Sequence, residues 1–230
     1  MKLKLLLLIA LCIRLFPVFA QTPDSSQKAN VPAQEEPISI ELFAGNKGLA
    51  FEMIVSKQFS PDSKFGFFNV TDFSWDYKEV NQTSDFLSQS FLTAQVWRGI
   101  SVAAGLSAMG SSTSPLTVRP TAGLQYLLAS RDFVVIVLPQ LDLTQTYNFE
   151  TFVVLEYKPM LSKKWGIYTR VEGLYNYNIR VGFQEISSVY LRLGLSYNNI
   201  QFGTGANPDF SGFNNHQVSN LGLFIKTDLF

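Results

Sequence analysis

The sequence contains a single cysteine, Cys12, and a single histidine, His216. Because Cys12 lies within the first twenty residues, the rest of the chain has neither disulfides nor thiolate chemistry. Beyond those twenty residues, no apolar run is long enough for a membrane-spanning helix. Charged residues make up only 16% of the chain, with 18 basic and 18 acidic side chains. This balance excludes a basic nucleic-acid-binding protein.

Residues 1–20 have the pattern of a cleaved secretory signal. Two lysines precede an apolar stretch, and the small residue Ala20 lies directly before Gln21. This order of basic, apolar and small residues predicts cleavage at or near Gln21. Loss of the three basic residues in this segment leaves a mature chain with a net charge of −3. Residues 21–37 are polar and contain proline, and we interpret them as a disordered periplasmic tail.

From residue 38 onward, the sequence is typical of many short strands. Segments of about ten residues are rich in β-branched and aromatic residues, and turn residues separate them. Apolar residues in the fourth segment also fit a helical spacing, although Thr93, Val96 and Trp97 suit a strand. We predict about twelve strands, with ten or eight as alternatives: 38–45, 48–59, 64–74, 84–97, 99–109, 116–129, 132–144, 148–158, 165–177, 186–198, 199–206 and 217–230.

Apolar and polar residues alternate most clearly in the segment 186–198. Successive side chains of a strand point to opposite faces, so Leu191, Leu193 and Leu195 share one face and Tyr190 and Arg192 the other. A soluble sheet would turn the apolar face to a core, whereas a membrane barrel turns it to lipid and the polar face to the lumen. Charge is confined to one face in three further segments, and this favours an antiparallel transmembrane up-and-down β-barrel over residues 38–230.

The connections between the segments are expected to alternate in length. The connections expected to be mostly long are 75–83, 110–115, 178–187 and 207–216. Those expected to be tight are 98–99, 130–131 and 198–199, with 158–164 the longest of this second set. Outer-membrane barrels have short periplasmic turns, longer external loops and an even number of strands. Trp75, Trp97 and Trp165 lie near strand ends, as expected for aromatic girdles at headgroup depth.

With this signal, these segments and a terminal Phe230, the chain resembles the small outer-membrane β-barrel proteins of Gram-negative bacteria, most of all those of the Bacteroidetes. The resemblance covers residues 38–230 and rests on pattern rather than on a catalytic motif. It implies that the barrel-assembly machinery recognises Phe230 as an assembly signal. The chain departs from the family pattern at Asp228 and Lys226, because the positions two and four before the terminal aromatic are usually apolar.

Alternation places many charged residues on the side of the strands that would face the lumen. These residues of mixed sign would either pair into a plug that stabilises the barrel or line a narrow polar pore. Two prolines within strands, Pro120 and Pro139, are expected to mark bulges. The candidate lumen residues are Glu41, Glu52, Arg119, Asp142, Glu150, Glu156, Arg170, Glu172, Arg192, Lys226 and Asp228.

The sequence leaves three functions open: a narrow pore or small-solute transporter, a lipid-modifying hydrolase, and a non-conducting structural or surface-binding barrel. The pore is our first hypothesis, and an enzyme is the less favoured one. His216 and Ser219 are three residues apart, which is the wrong spacing for a hydrogen-bonded pair on one strand face. No catalytic, metal or cofactor motif is present, so we expect no cofactor. The expected partners are outer-membrane lipid, the assembly machinery and an unspecified small solute.

Overall fold

The structure, a computed structural model, describes residues 38–77, 85–111, 114–144, 147–211 and 216–229, without the side chains of 114, 183, 185–186, 211 and 216–218. The signal and tail expected in 1–37 lie outside the described residues, as does Phe230. In the described part, the chain forms twelve strands and no helix that could span a bilayer. The strands are β1 Ile38–Gly45, β2 Gly48–Gln58, β3 Phe65–Asp76, β4 Asp85–Trp97, β5 Ile100–Ser111, β6 Ser114–Ala129, β7 Phe133–Asp142, β8 Asn148–Tyr157, β9 Trp165–Asn178, β10 Phe183–Tyr197, β11 Ile200–Ser211 and β12 His216–Leu229.

The twelve strands form one closed antiparallel barrel. Each strand pairs with its neighbours in the sequence, and β1 closes the sheet by pairing with β12. The register of this closing pair runs from Ile38 opposite Leu229 to Gly45 opposite Gly222. The predicted up-and-down barrel with twelve strands is therefore confirmed. Residues 84–97, which also fitted a helix, contain the strand β4.

The expected alternation in connection length is present only in part. We call the end that holds Ile38 and Leu229 the terminus end, and the other the far end. The longest connection, 77–84, lies at the far end as expected, and 98–99 and 198–199 at the terminus end are tight. However, 59–64 and 158–164 at the terminus end exceed 46–47 and 112–113 at the far end. Asn, Gly and Ser residues that the sequence placed in far-end loops instead pair across strands, as Asn207 does with Asn220. A backbone whose N–H and C=O groups pair with a neighbouring strand stays extended, even where the side chains are typical of turns.

The two strand prolines do not mark bulges, contrary to expectation. Pro120 lies opposite Leu106 and Pro139 opposite Thr151, both in unbroken register. The register shifts that the structure does contain lie between Gln95 and Trp97, Met109 and Ser111, and Gln184 and Ile186. Each proline therefore costs one backbone donor without displacing the side chains that follow it.

The outside of the barrel is apolar. Leu193 is 62% exposed and Leu223 is 64% exposed, values that would be costly in water for so many large side chains. Trp97, Tyr157 and Trp165 are exposed near the terminus end, and Trp75, Tyr147 and Tyr175 near the far end. An apolar exterior between two sets of exposed aromatic side chains is the surface of a transmembrane barrel.

The inside of the barrel is packed and divided into two parts. Side chains from β2 to β8 form an apolar cluster in which Leu138 is 0% exposed and Phe68 1% exposed. The other part holds most of the charged side chains, from β8 to β12, β1 and β2, together with a second apolar cluster of Phe43, Ala50, Tyr168 and Phe224. Because the apolar cluster fills its share of the interior, any passage through the barrel has to follow the charged wall. The apolar cluster consists of Ile54, Phe68, Val70, Phe91, Ala103, Ile136, Leu138, Phe152 and Val154.

Candidate functional site

The candidate site is the charged wall inside the barrel. The structure places all of the predicted lumen residues on the interior side of their strands, in three groups at successive depths. The assembly residue Phe230 lies outside the described part of the chain. The side chain of His216 is also outside the description, so the hydrolase alternative gains no support from the geometry.

Two arginines form the middle group, which we call the arginine group: Arg170, Arg192, Glu41, Glu52 and Glu172. Arg170 on β9 donates from Nη2 to the carboxylates of Glu172 and Glu52, and Glu52 belongs to β2 on another part of the wall. Its Nη1 lies 3.6 Å from Oε2 of Glu41 on β1. Arg170 therefore links β9 to two strands that are not its neighbours in the sheet.

Arg192 on β10 makes a similar link to β1. Its Nε and Nη2 donate to Oε1 of Glu41 at 2.8 and 2.7 Å, and its Nη1 donates to Oδ1 of Asn207 at 2.6 Å. The guanidinium also lies over the ring of Phe43, 4.5 Å from its centroid. A fully paired guanidinium against an aromatic face is the arrangement in which burial of this charge costs least.

The group nearest the terminus end contains two lysines and two carboxylates, and we call it the lysine group: Lys158, Lys226, Glu156 and Asp228. Lys158 Nζ lies 2.8 Å from Asp228 and 3.0 Å from Glu156, and Lys226 Nζ lies 2.7 and 3.2 Å from the same two carboxylates. Burial by itself lowers the pKa of Lys158, but the carboxylates of Glu156 and Asp228 raise it above its ordinary value. The four charges cancel within the group.

Glu150 is the centre of the group nearest the far end. Its carboxylate accepts hydrogen bonds from the side-chain amides of Gln89, of Gln140 at 2.5 Å and of Asn176 at 2.9 Å. Arg119 and Asp142 form a separate ion pair at 3.4 Å in the same region. Glu150 is thus buried with amide donors around it but with no basic side chain bonded to it.

Several interior residues were missed by the sequence analysis. Asp72 lies on the interior side of β3, directly opposite Glu52, and the three amides around Glu150 complete the far-end group. Alternation from the buried Phe68 and Val70 would have placed Asp72 inside. The amides carry no such signal, because uncharged polar residues are common on either face of a sheet.

Carboxylates lie side by side where three neighbouring strands meet. Glu41 is paired in register with Glu52, and Glu52 with Asp72. Together with Glu172, the last two also have carboxylate oxygens within 4.8 Å of one another. Carboxylates directly opposite one another repel, so their placement depends on Arg170, which bonds to both Glu52 and Glu172.

Two cavities lie against the charged wall, one towards each end. The first, of about 60 Å³, lies between the lysine group and the apolar side chains of Ile54, Ile136 and Val154, and Arg170 reaches it. The second, of about 20 Å³, is lined by Glu150, Asn176 and Asp142. Strand β9 contributes to both, because Arg170 borders the first cavity and Asn176 the second.

Solved porin structures share the barrel at low sequence identity. Against the KdgM porin, the TM-score is 0.43 with 12% identity, over 84% of this chain and 99% of that one. For the NanC porin the values are 0.47 and 9%, over 84% and 98%. The outer-membrane protein OpdK from Pseudomonas aeruginosa gives 0.37 and 10%, over 80% and 67%.

No protein-family model and no curated protein sequence matches the chain. At these identities and TM-scores, the likeness to solved structures extends to the fold alone. Neither a substrate nor a chemical role follows from it, and both have to come from the interior of this barrel.

Proposed function

We propose that this chain is an outer-membrane barrel that lets a small polar solute pass along its charged wall. The observation that carries the proposal is that β9 borders both cavities, one towards each end of the interior. Between them, β9 presents Arg170, Glu172, Leu174 and Asn176 in turn. At a rise of about 3.3 Å per residue, these side chains cover about 20 Å, a large part of the thickness of the membrane core.

The passage is closed in this conformation. Arg170 is 3% exposed and bonds to carboxylates on β1, β2 and β9, so it fills the space between the cavities. A solute can pass only when these contacts give way, and we therefore expect a small conductance. A wall of charges with alternating sign suits this task, because each ion pair can exchange its partner for the solute.

Single-channel recording on refolded protein in planar bilayers tests the proposal. The wild type is expected to show small, discrete conductance steps. Arg170→Ala removes the guanidinium between the cavities and is expected to raise the conductance by roughly twofold or more. Thr169→Ala, on the lipid side of the same strand, is the matched control and is expected to conduct like the wild type.

A non-conducting structural barrel is the second candidate, and the packed interior favours it. Leu138, Phe68 and Gln89 are almost completely buried, and such packing stabilises a barrel without any passage. Heat-modifiable gel mobility shows whether a preparation contains folded barrels. If folded wild type and folded Arg170→Ala both show no channel conductance, the proposed pore is overturned in favour of this candidate.

A further inference from the structure

Carboxylates outnumber basic side chains inside the barrel. Of the described interior side chains, leaving aside Asp76 and Asp85 at the far-end rim, nine are acidic and five are basic. The excess is confined to the middle and far-end parts, since the lysine group is balanced. The acidic side chains are Glu41, Glu52, Asp72, Asp142, Glu150, Glu156, Glu172, Asp209 and Asp228, and the basic ones are Arg119, Lys158, Arg170, Arg192 and Lys226.

The excess is largest around the arginine group. Glu41, Glu52 and Glu172 share Arg170 and Arg192, and Asp72 adds a fourth carboxylate beside them. Four carboxyl groups thus meet two guanidinium groups. An anion that enters this region meets net repulsion, whereas a cation supplies charge that the protein lacks.

Buried amide oxygens point to the same kind of ligand. Gln89 is 0% exposed and Gln140 is 2% exposed, and each donates its amide nitrogen to Glu150 while its Oε1 has no hydrogen-bond partner. The buried Oε1 of Gln201 also has none. Oxygen atoms of amides and carboxylates are the groups that replace water around small hard cations.

We infer that the barrel interior selects small cations over anions. The inference rests on the proposed pore and adds the sign of the solute that the pore admits. Two observations support it independently: the acidic excess, which is largest around Arg170, and the unpartnered amide oxygens beside Glu150. Several weak sites in series, rather than one tight site, also allow the ion to leave as easily as it enters.

The reversal potential of single channels in a KCl gradient tests the inference. The wild type is expected to pass K⁺ in preference to Cl⁻ by roughly tenfold. Asp72→Asn and Glu150→Gln each remove one carboxyl group that has no basic partner and are expected to lower this ratio several-fold. Asp62→Asn removes the same charge from the exposed connection 59–64 and is expected to leave the ratio unchanged. Equal permeabilities, or a preference for Cl⁻, would overturn the inference while leaving the pore itself established.

Absence of any conductance would refute the proposed pore, and a second measurement then decides the inference. Unfolding in urea is compared in KCl and in choline chloride at equal concentration, because choline is too large for either cavity. If KCl raises the free energy of unfolding above its value in choline chloride, and does so less for Asp72→Asn than for the wild type, the interior binds the small cation. Identical unfolding curves in the two salts would reject it.

Discussion

Neighbouring residues of one strand lie in different environments, one inside the barrel and the other on its outer surface. Arg192 is 5% exposed and is held inside by Glu41, whereas Leu193 is 62% exposed on the outside of the same strand. Because the environment changes at every residue, a substitution has to be judged by its face rather than by its position along the chain.

We predict that Leu193→Arg prevents assembly. A charged side chain on the lipid side near the middle of a strand costs about 2–4 kcal/mol, a large part of the stability of a small barrel. Leu193→Phe is the matched control, because it adds bulk without charge and is expected to assemble normally. Yield of heat-modifiable protein in the outer membrane measures the difference. Equal yields for the two variants would show that β10 does not meet lipid on this face.

Arg170 shows what a buried charge contributes at the residue scale. Removal of one partner from a buried ion pair costs about 3–5 kcal/mol, because the remaining carboxylates stay desolvated without compensation. Loss of Arg170 would leave Glu52 and Glu172 without their shared donor. The residue that closes the passage thus also keeps three strands together, and conductance of its variants has to be read from folded protein.

At the scale of the element, β12 explains the departure from the usual terminal pattern. Lys226 and Asp228 belong to the lysine group inside the barrel, and Ile225 and Leu229 lie on the outside. The positions that are usually apolar and exterior therefore carry charge and face the interior. Relative to the usual terminal pattern, the exterior face of β12 is shifted by one residue.

We predict that deletion of Phe230 slows assembly. The resemblance to outer-membrane barrels implies that the assembly machinery recognises a terminal aromatic residue. After the deletion, the chain would end at Leu229, which is not aromatic. Phe230→Tyr keeps an aromatic end and is the control. Pulse-chase labelling that follows the appearance of heat-modifiable protein measures the rate. An unchanged rate after the deletion would remove Phe230 from this role.

The interior face of a strand was predictable from the sequence where charged residues lie on one face only. It was less predictable where a strand has no charged residues. In β8, Glu150 and Glu156 mark the interior face, and the structure places both inside. In β7, the run Phe133–Leu138 is apolar on both faces, because one face meets lipid and the other meets the apolar cluster. Alternation cannot identify a face when both environments are apolar, so the packed half of the interior was not foreseen.

The contacts between distant strands were also beyond the sequence. Gln89 meets Glu150 and Arg170 meets Glu52 across the interior, although their strands are not neighbours in the sheet. Such contacts depend on the width of the barrel and on the length of the side chains that cross it, and no local pattern encodes either. Some connection lengths were predicted wrongly because polar residues that were expected in loops pair with an adjacent strand instead, as Asn207 does with Asn220.

At the scale of the whole molecule, the orientation of the barrel follows from its ends. An even number of strands puts both termini on one side of the membrane, and in outer-membrane barrels this side is the periplasm. We therefore expect the terminus end to face the periplasm and the far end to face outside. Basic side chains are exposed in the terminus-end connections, at Arg98, Arg131, Lys163 and Lys164. Arg98 directly follows Trp97, and Lys163 and Lys164 directly precede Trp165, at a depth where anionic lipid headgroups would attract basic side chains.

Labelling of introduced cysteines on intact cells is expected to show this orientation. The chain has no cysteine after Cys12, so the background is low. Val181→Cys, in the far-end connection 179–182, is expected to react with an impermeant maleimide. Lys163→Cys is expected to react only after the membrane is permeabilised. The reverse result would mean that the barrel is inverted and that the far end faces the periplasm.

The pairing of β1 with β12 sets the time at which the barrel can close. Ile38 and Leu229, which face each other in this pair, are almost as far apart in the chain as the barrel allows. Until the last strand is exported, β1 keeps an open edge whose backbone groups have no partner in lipid. Insertion one strand at a time would leave that edge exposed, so we expect a carrier or another protein edge to hold the chain until the barrel closes. Closure is then a late, long-range event, and we expect it to be the slowest step of folding.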